Sequence, residues 1–164
     1  MIVTVIEEQL ASRLRSLRGL ATTIVGIGNE LKGDDGVGPF LCRLFGGKIS
    51  AKLIDAGTVP ENHIQPIIRT KPENLLVIDA MDFGAEAGAA KLFGTGEISS
   101  VVMSTHSLSP RLFVDLIGRE IKTEVLFLGI QPAQMQLGQE ISPVVKSTAE
   151  QLAKILIKIF PVGG

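Results

Sequence analysis

Three polar residues stand just beyond short apolar runs, and together they make a mixed oxygen and nitrogen donor set. Asp35 follows Thr22-Thr23-Ile24-Val25-Gly26-Ile27-Gly28, within Asn29-Glu30-Leu31-Lys32-Gly33-Asp34-Asp35-Gly36. Asp79 closes Asn74-Leu75-Leu76-Val77-Ile78, and His106 lies in Ser104-Thr105-His106-Ser107. Two carboxylates and an imidazole suit a borderline divalent cation such as nickel, zinc, manganese or iron. Three protein ligands leave coordination positions open for a substrate, the arrangement of a reactive metal site. Each residue also has a plainer reading. Asp35 could be a helix N-cap, and His106 a hydrogen-bonded interior histidine. Asp79 is harder to set aside, because a carboxylate ending a buried apolar run needs a partner or water. Spacing within each segment decides nothing; a common end of one sheet would.

Asp55, in Ile54-Asp55-Ala56-Gly57-Thr58, is a fourth candidate. It reads as a turn aspartate bonding the backbone ahead of it. It also reads as a group held behind a metal ligand, or as a general base beside the metal. Asp82 could line the same mouth, and Asp34 is expected to face solvent or favour a helix dipole. Gly26-Ile27-Gly28 has the first two glycines of a dinucleotide fingerprint, but Leu31 stands where the third is required. Neither a Walker lysine motif nor a G-x-S-x-G, H-E-x-x-H or C-x-x-C motif is present. Cys42 lies in an apolar helical stretch and reads as core, while His63 reads as exposed. The long polar segment Gln131-Pro132-Ala133-Gln134-Met135-Gln136-Leu137-Gly138-Gln139-Glu140 should border the crevice. Its amides and Met135 would suit a peptide ligand.

The elements that must position these residues alternate along the chain. Residues 1–20 carry Glu7, Glu8, Arg13, Arg15 and Arg18 within an apolar pattern, which reads as an amphipathic surface helix. Strands are expected at 22–28, 52–55, 74–79 and 124–130, a weak one at 100–105, and a candidate antiparallel edge strand at Ala90-Lys91-Leu92-Phe93. Helices are expected after Asp35, after the T-x-x-E spacing of Thr58 and Glu61 with a break imposed by Pro66, after Ser109-Pro110, and after Ser142-Pro143. This alternation predicts an α/β three-layer sandwich, with a twisted, mostly parallel five-stranded sheet and helices on both faces. In a flavodoxin-like order, ligands sit between the first and third strands, outside their carboxyl ends.

The 164 residues suit one domain, with residues 1–20 a helical extension and 21–160 the α/β body. Sixteen Lys+Arg against seventeen Asp+Glu give a net charge of -1, without the basic footprint of a nucleic-acid binder. Trp and Tyr are absent, which argues against a stacking surface. A single cysteine excludes a disulfide framework. Mean hydropathy is +0.35, yet charges or glycines interrupt every run long enough to span a bilayer. The expectation is a cytoplasmic protein without membrane insertion.

The run Gly26-Ile27-Gly28-Asn29-Glu30-Leu31-Lys32-Gly33-Asp34-Asp35-Gly36-Val37-Gly38 strongly resembles the opening motif of the hydrogenase maturation endopeptidases. The resemblance continues through Ile54-Asp55-Ala56-Gly57-Thr58, Pro60-Glu61-Asn62, Leu76-Val77-Ile78-Asp79-Ala80, Ser104-Thr105-His106 and Phe127-Leu128-Gly129-Ile130-Gln131-Pro132. The segments at 60–62 and 129–132 look most like the branch that serves formate-hydrogenlyase-type hydrogenases. The residues before Gly19 look like an extension beyond the usual family start. The resemblance implies an endopeptidase that removes a C-terminal peptide from the [NiFe]-hydrogenase large subunit precursor after nickel insertion. It assigns the nickel ligands to Asp35, Asp79 and His106 and gives Asp55 a less settled part in cleavage. Nickel would arrive with the substrate, and no permanently bound cofactor is expected. Two other readings remain at this stage: a non-catalytic nickel- or precursor-binding module of the same fold, and a small nucleotide-binding α/β domain.

Overall fold

The computed structural model describes residues 6–98, 102–103 and 109–163. In chain order the elements are α1 (Glu8–Arg15), β1 (Thr22–Ile27), α2 (Val37–Phe45), β2 (Lys52–Gly57), α3 (Ile64–Thr70), β3 (Asn74–Asp82), β4 (Ala90–Phe93), β5 (Val102–Met103), α4 (Pro110–Gly118), β6 (Glu124–Ile130) and α5 (Pro143–Ile159). Short 3-10 turns over Gly33–Gly36 and Pro60–His63 lead into α2 and α3.

The main sheet has the order β2-β1-β3-β6-β4. β1, β2, β3 and β6 run parallel, and β4 closes the edge antiparallel to β6, where an antiparallel edge strand was a candidate. The two-residue β5 pairs antiparallel with the far end of β3, Met81 opposite Met103. Strand order reverses between β1 and β3, so the crevice of a parallel sheet falls at their carboxyl ends.

Alternation along each strand divides the core into two layers. Ile24, Leu76, Ile78, Leu126 and Leu128 meet Leu41 and Phe45 of α2 and Leu152 and Leu156 of α5 on one face. Val25, Val77, Val125 and Phe127 meet Ile67 of α3 and Phe113 and Ile117 of α4 on the other. Leu10, Leu14 and Leu17 join the α2–α5 layer, so the amphipathic N-terminal segment packs onto the body. Its helix covers one face for eight residues, shorter than the 1–20 pattern suggested.

Helix ends follow their local chemistry in part. Ser109 Oγ accepts from Leu112 N at 3.1 Å and Pro110 opens α4, as expected of this pair. The T-x-x-E capping box does not form: Val59 takes the N-cap of the 3-10 turn without a side-chain bond. The expected break falls at His63, and Pro66 then sits in the first turn of α3, where a missing N–H costs nothing.

The glycines of the opening motif let α2 lie directly on β1. A Cβ on Gly38 would stand 2.4 Å from Ile27 O and 2.7 Å from Ile78 O, and one on Gly26 would stand 2.6 Å from both Cys42 Sγ and Gly38 O. Backbone atoms cannot yield as a flexible side chain would. Gly38→Ala should therefore cost about 3 kcal/mol by overpacking, read as a lower denaturation midpoint at unchanged slope.

Candidate functional site

The carboxyl ends of β1 and β3 bring two of the expected residues together. Gly26 pairs with Ile78, so Asp79 stands one residue above, level with the last residue of β1. Asp35 arrives from the other side through the 3-10 turn, and its carbonyl takes the place a Cβ would occupy on Gly28, 1.8 Å away. Both carboxylates are fully buried. Asp79 Oδ1 accepts from the N–H of Ala80 at 2.8 Å. Asp35 does not cap α2, whose N-cap is Gly36 without a side-chain bond. Instead Asp35 Oδ2 accepts from Asn29 N at 3.0 Å and closes the loop back onto its own start.

His106 lies outside the described residues. Among the described residues no three His, Cys, Asp or Glu side chains form a group able to hold a metal ion.

Asp55 is not brought into a ligand set with Asp79. It pairs with Gly26, which pairs in turn with Ile78, so it stands two strand spacings away from β3, about 10 Å. It also lies on the α2 face with Leu53, whereas Asp79 shares the face of Val77. Asp55 is exposed and accepts from Gly57 N through Oδ1 at 3.1 Å, the turn bond its sequence suggested. Its negative charge acts on Cys42. Burial, reinforced by Asp55, pushes the Cys42 thiol up to about 11, so this cysteine is an inert core group.

Asp34, expected at the surface, is tied into the site by four hydrogen bonds. It is fully buried. Oδ2 accepts from Ala133 N at 2.8 Å, Gln134 N at 3.0 Å and Ser142 Oγ at 2.9 Å, while Oδ1 accepts from Ser142 N at 2.7 Å. Ser142 begins α5, so the carboxylate also sits at the positive end of a 17-residue helix. The partners lie 99 to 108 residues further along, and no local pattern announces them.

Asp82 serves the rim of the same mouth. Its Oδ1 accepts from Gln131 Nε2 and Gly84 N, both at 3.1 Å, and these bonds hold its pKa below the usual carboxylate value. Gln131 Oε1 in turn accepts from Phe83 N at 2.9 Å, so the end of β6 is tied to the turn after β3. Neither Gly26 nor Gly28 leaves room for a phosphate, because α2 and Asp35 already occupy the space beside them. That removes the nucleotide-binding reading. A groove of about 800 Å³, lined in part by Arg18, Thr23, Lys52, Thr70 and Lys158, lies at the opposite, amino end of the strands. Its size is a poorer guide than strand polarity. His63, expected at the surface, is half-buried.

A family model described as hydrogenase maturation protease, of the HycI type, matches residues 41–159. The hydrogenase 3 maturation protease of Escherichia coli is 31% identical over 134 residues, covering 80% of this chain and 85% of that protein. The chain belongs to the hydrogenase maturation protease family. It is a peptidase. A Methanocaldococcus jannaschii protein assigned to the same activity is 36% identical over 163 residues, 93% of this chain and 95% of that one. The crystal structure of the [NiFe] hydrogenase maturation protease HycI from Thermococcus kodakarensis superposes with a TM-score of 0.80 at 26% identity, covering 90% and 97% of the two chains. The family match contains Asp55, Asp79 and His106, and Asp35 precedes it by six residues.

Two measurements check this geometry. Asp34→Ala strands buried donors at Ser142 and frees the 131–142 segment. It should lower unfolding free energy by about 3 kcal/mol and raise amide exchange across that segment. Cys42 should alkylate about a hundredfold more slowly at pH 8 in the native protease than in the unfolded chain. That factor follows from a thiol near 11 rather than 9.0. The rate should climb with pH toward 11 and rise in Asp55→Asn, which removes the opposing charge.

Proposed function

We propose that this protease removes the C-terminal peptide from the precursor of a [NiFe]-hydrogenase large subunit after nickel has been inserted. In this reading it recognises the nickel through Asp35, Asp79 and His106. The supporting observation is the pair of buried carboxylates, Asp35 and Asp79, at the β1/β3 reversal point of a maturation protease fold. Two carboxylate donors suit a divalent ion and its positive charge. A cation carried by the substrate supplies it, so nickel belongs to the substrate and no resident cofactor is required. An apo-precursor would bring no cation for these donors to bind.

Cleavage adds water across one amide bond: the hydroxyl goes to the carbonyl carbon of the large subunit, and a proton goes to the departing amine. Asp35, Asp79 and His106 would hold the substrate's nickel, which would position the scissile segment and could supply Lewis-acid polarisation there. Asp55 stands two strand spacings from β3, with β1 between them, and so outside the ligand set of Asp79. In this reading a substrate draped over the strand ends carries the water toward which Asp55 acts as base. The free, buried Cys42 fits a reducing compartment, and we place the reaction in the cytoplasm. Among the described residues no helix is long and apolar enough to cross a membrane.

The test is mass spectrometry of nickel-loaded and nickel-free precursor after incubation with the wild type, Asp79→Asn and Asp55→Asn. The wild type should shorten only the nickel-loaded precursor. Asp79→Asn should lose both cleavage and nickel-dependent binding, and Asp55→Asn should keep binding while kcat falls at least about a hundredfold. Precursor that binds but is never shortened would replace the peptidase by a non-catalytic binding module.

A further inference from the structure

The segment after β6 was expected to meet a peptide with its amides and Met135, and the structure uses those groups differently. Gln134 Nε2 donates to Glu140 O at 2.8 Å, Gln139 Oε1 accepts from Gln136 N at 2.8 Å, and Met135 packs against the α2–α5 layer. What the segment presents is Leu137, 74% exposed. Leu31, in the loop before Asp34, is 68% exposed, and these are the two most exposed large apolar side chains among the described residues.

Three backbone bonds join the two loops that carry them. Gly138 N donates to Leu31 O at 2.8 Å, Gly33 N to Gln139 O at 3.0 Å, and Asp34 N to Gln134 O at 2.8 Å. Leu137 sits at the tip of a turn closed by Gln139 N on Gln136 O, with Gly138 at φ +88 supplying the left-handed position. A Cβ on Gly33 would stand 2.7 Å from Gln134 O, which keeps the loops at that separation. With the buried Asp34 beneath, neither leucine has a flexible backbone that could fold it away from water. Apolar side chains held out in this manner mark a contact surface.

We infer that Leu31 and Leu137 form the substrate-docking rim of the protease and seat an apolar side chain of the precursor beside the scissile bond. The inference rests on the peptidase reading above. The occupant follows from continuity with the site: Leu31 is four residues before Asp35 in the same loop, so a chain reaching Asp35 passes this rim. A polypeptide is the substrate class of the family, and its backbone finds the loop amides already engaged. Side-chain burial on the two leucines is the recognition that remains available. The rim is a specificity device that acts through binding, apart from the chemistry at nickel.

The experiment measures kcat and KM for nickel-loaded precursor with Leu31→Ser, Leu137→Ser and the double variant. Val162→Ser is the control; Val162 is 57% exposed and follows α5 at the amino end of the sheet. The expected result is a kcat/KM about tenfold lower for each single variant and lower still for the double, carried by KM, with Val162→Ser at the wild-type value. Unfolding midpoints should match the wild type, because both leucines are exposed. An unchanged KM in the double variant, or a loss confined to kcat, overturns the docking rim. Failure of the wild type itself to cleave overturns the peptidase reading instead.

Discussion

The buried carboxylate of Asp34 is the interaction on which the site depends. A charge taken wholly out of water is tolerable only when its oxygens are filled, and here four donors fill them. All four donors lie at the start of the last loop or the start of α5, so one residue of the first loop organises the last loop and the last helix. The loop after β1 and the loop after β6 thereby become one body. Everything they carry, Asp35 and the two leucines included, inherits positions set by this anchor together with the three backbone bonds between the loops.

A second constraint lies one layer down. Gly26 and Gly38 face each other across β1 and α2, and neither can bear a side chain because the opposing atoms are backbone. The close approach brings the turn at Gly33–Gly36 low over the ends of β1 and β3. A bulkier pair would lift that turn, with Asp34 away from Ser142 and Asp35 away from Asp79. The glycine spacing that resembles a nucleotide fingerprint is thus a packing device, and the same residue type serves a different purpose because a helix fills the space a phosphate would need.

Much of this was legible in the residues. Strand and helix alternation gave the layers, the short run at Ala90–Phe93 offered a candidate antiparallel edge, and strand polarity put Asp35 and Asp79 at one end. These are signals carried within a few residues, where periodicity and turn chemistry act. The role of Asp34 is not legible locally, because its partners are about a hundred residues away. An acidic residue before a helix looks the same whether it faces water or a distant N-terminus. The capping box at Thr58 and Glu61 failed for a related reason: Pro60 fixes a 3-10 turn that moves the cap to Val59. The amides of the last loop looked available, since nothing local says that Gln134 and Gln139 fold back on their own segment.

The two consecutive aspartates show how the fold separates structure from chemistry. They lie in a 3-10 turn, where three residues complete a revolution and neighbouring side chains point about 120° apart. If one is aimed at the N-terminus of α5, the next is necessarily aimed elsewhere, and here its carboxylate reaches back to Asn29 beside the ends of β1 and β3. Asp34 is consumed by the scaffold, and that fixes the direction of Asp35. The pair is one unit: the first carboxylate immobilises the turn, and the geometry of the turn delivers the second. Moving the doublet one residue later would put a glycine opposite the buried donors of α5, and moving it one residue earlier would keep the anchor but leave a glycine where the second carboxylate meets the strand ends.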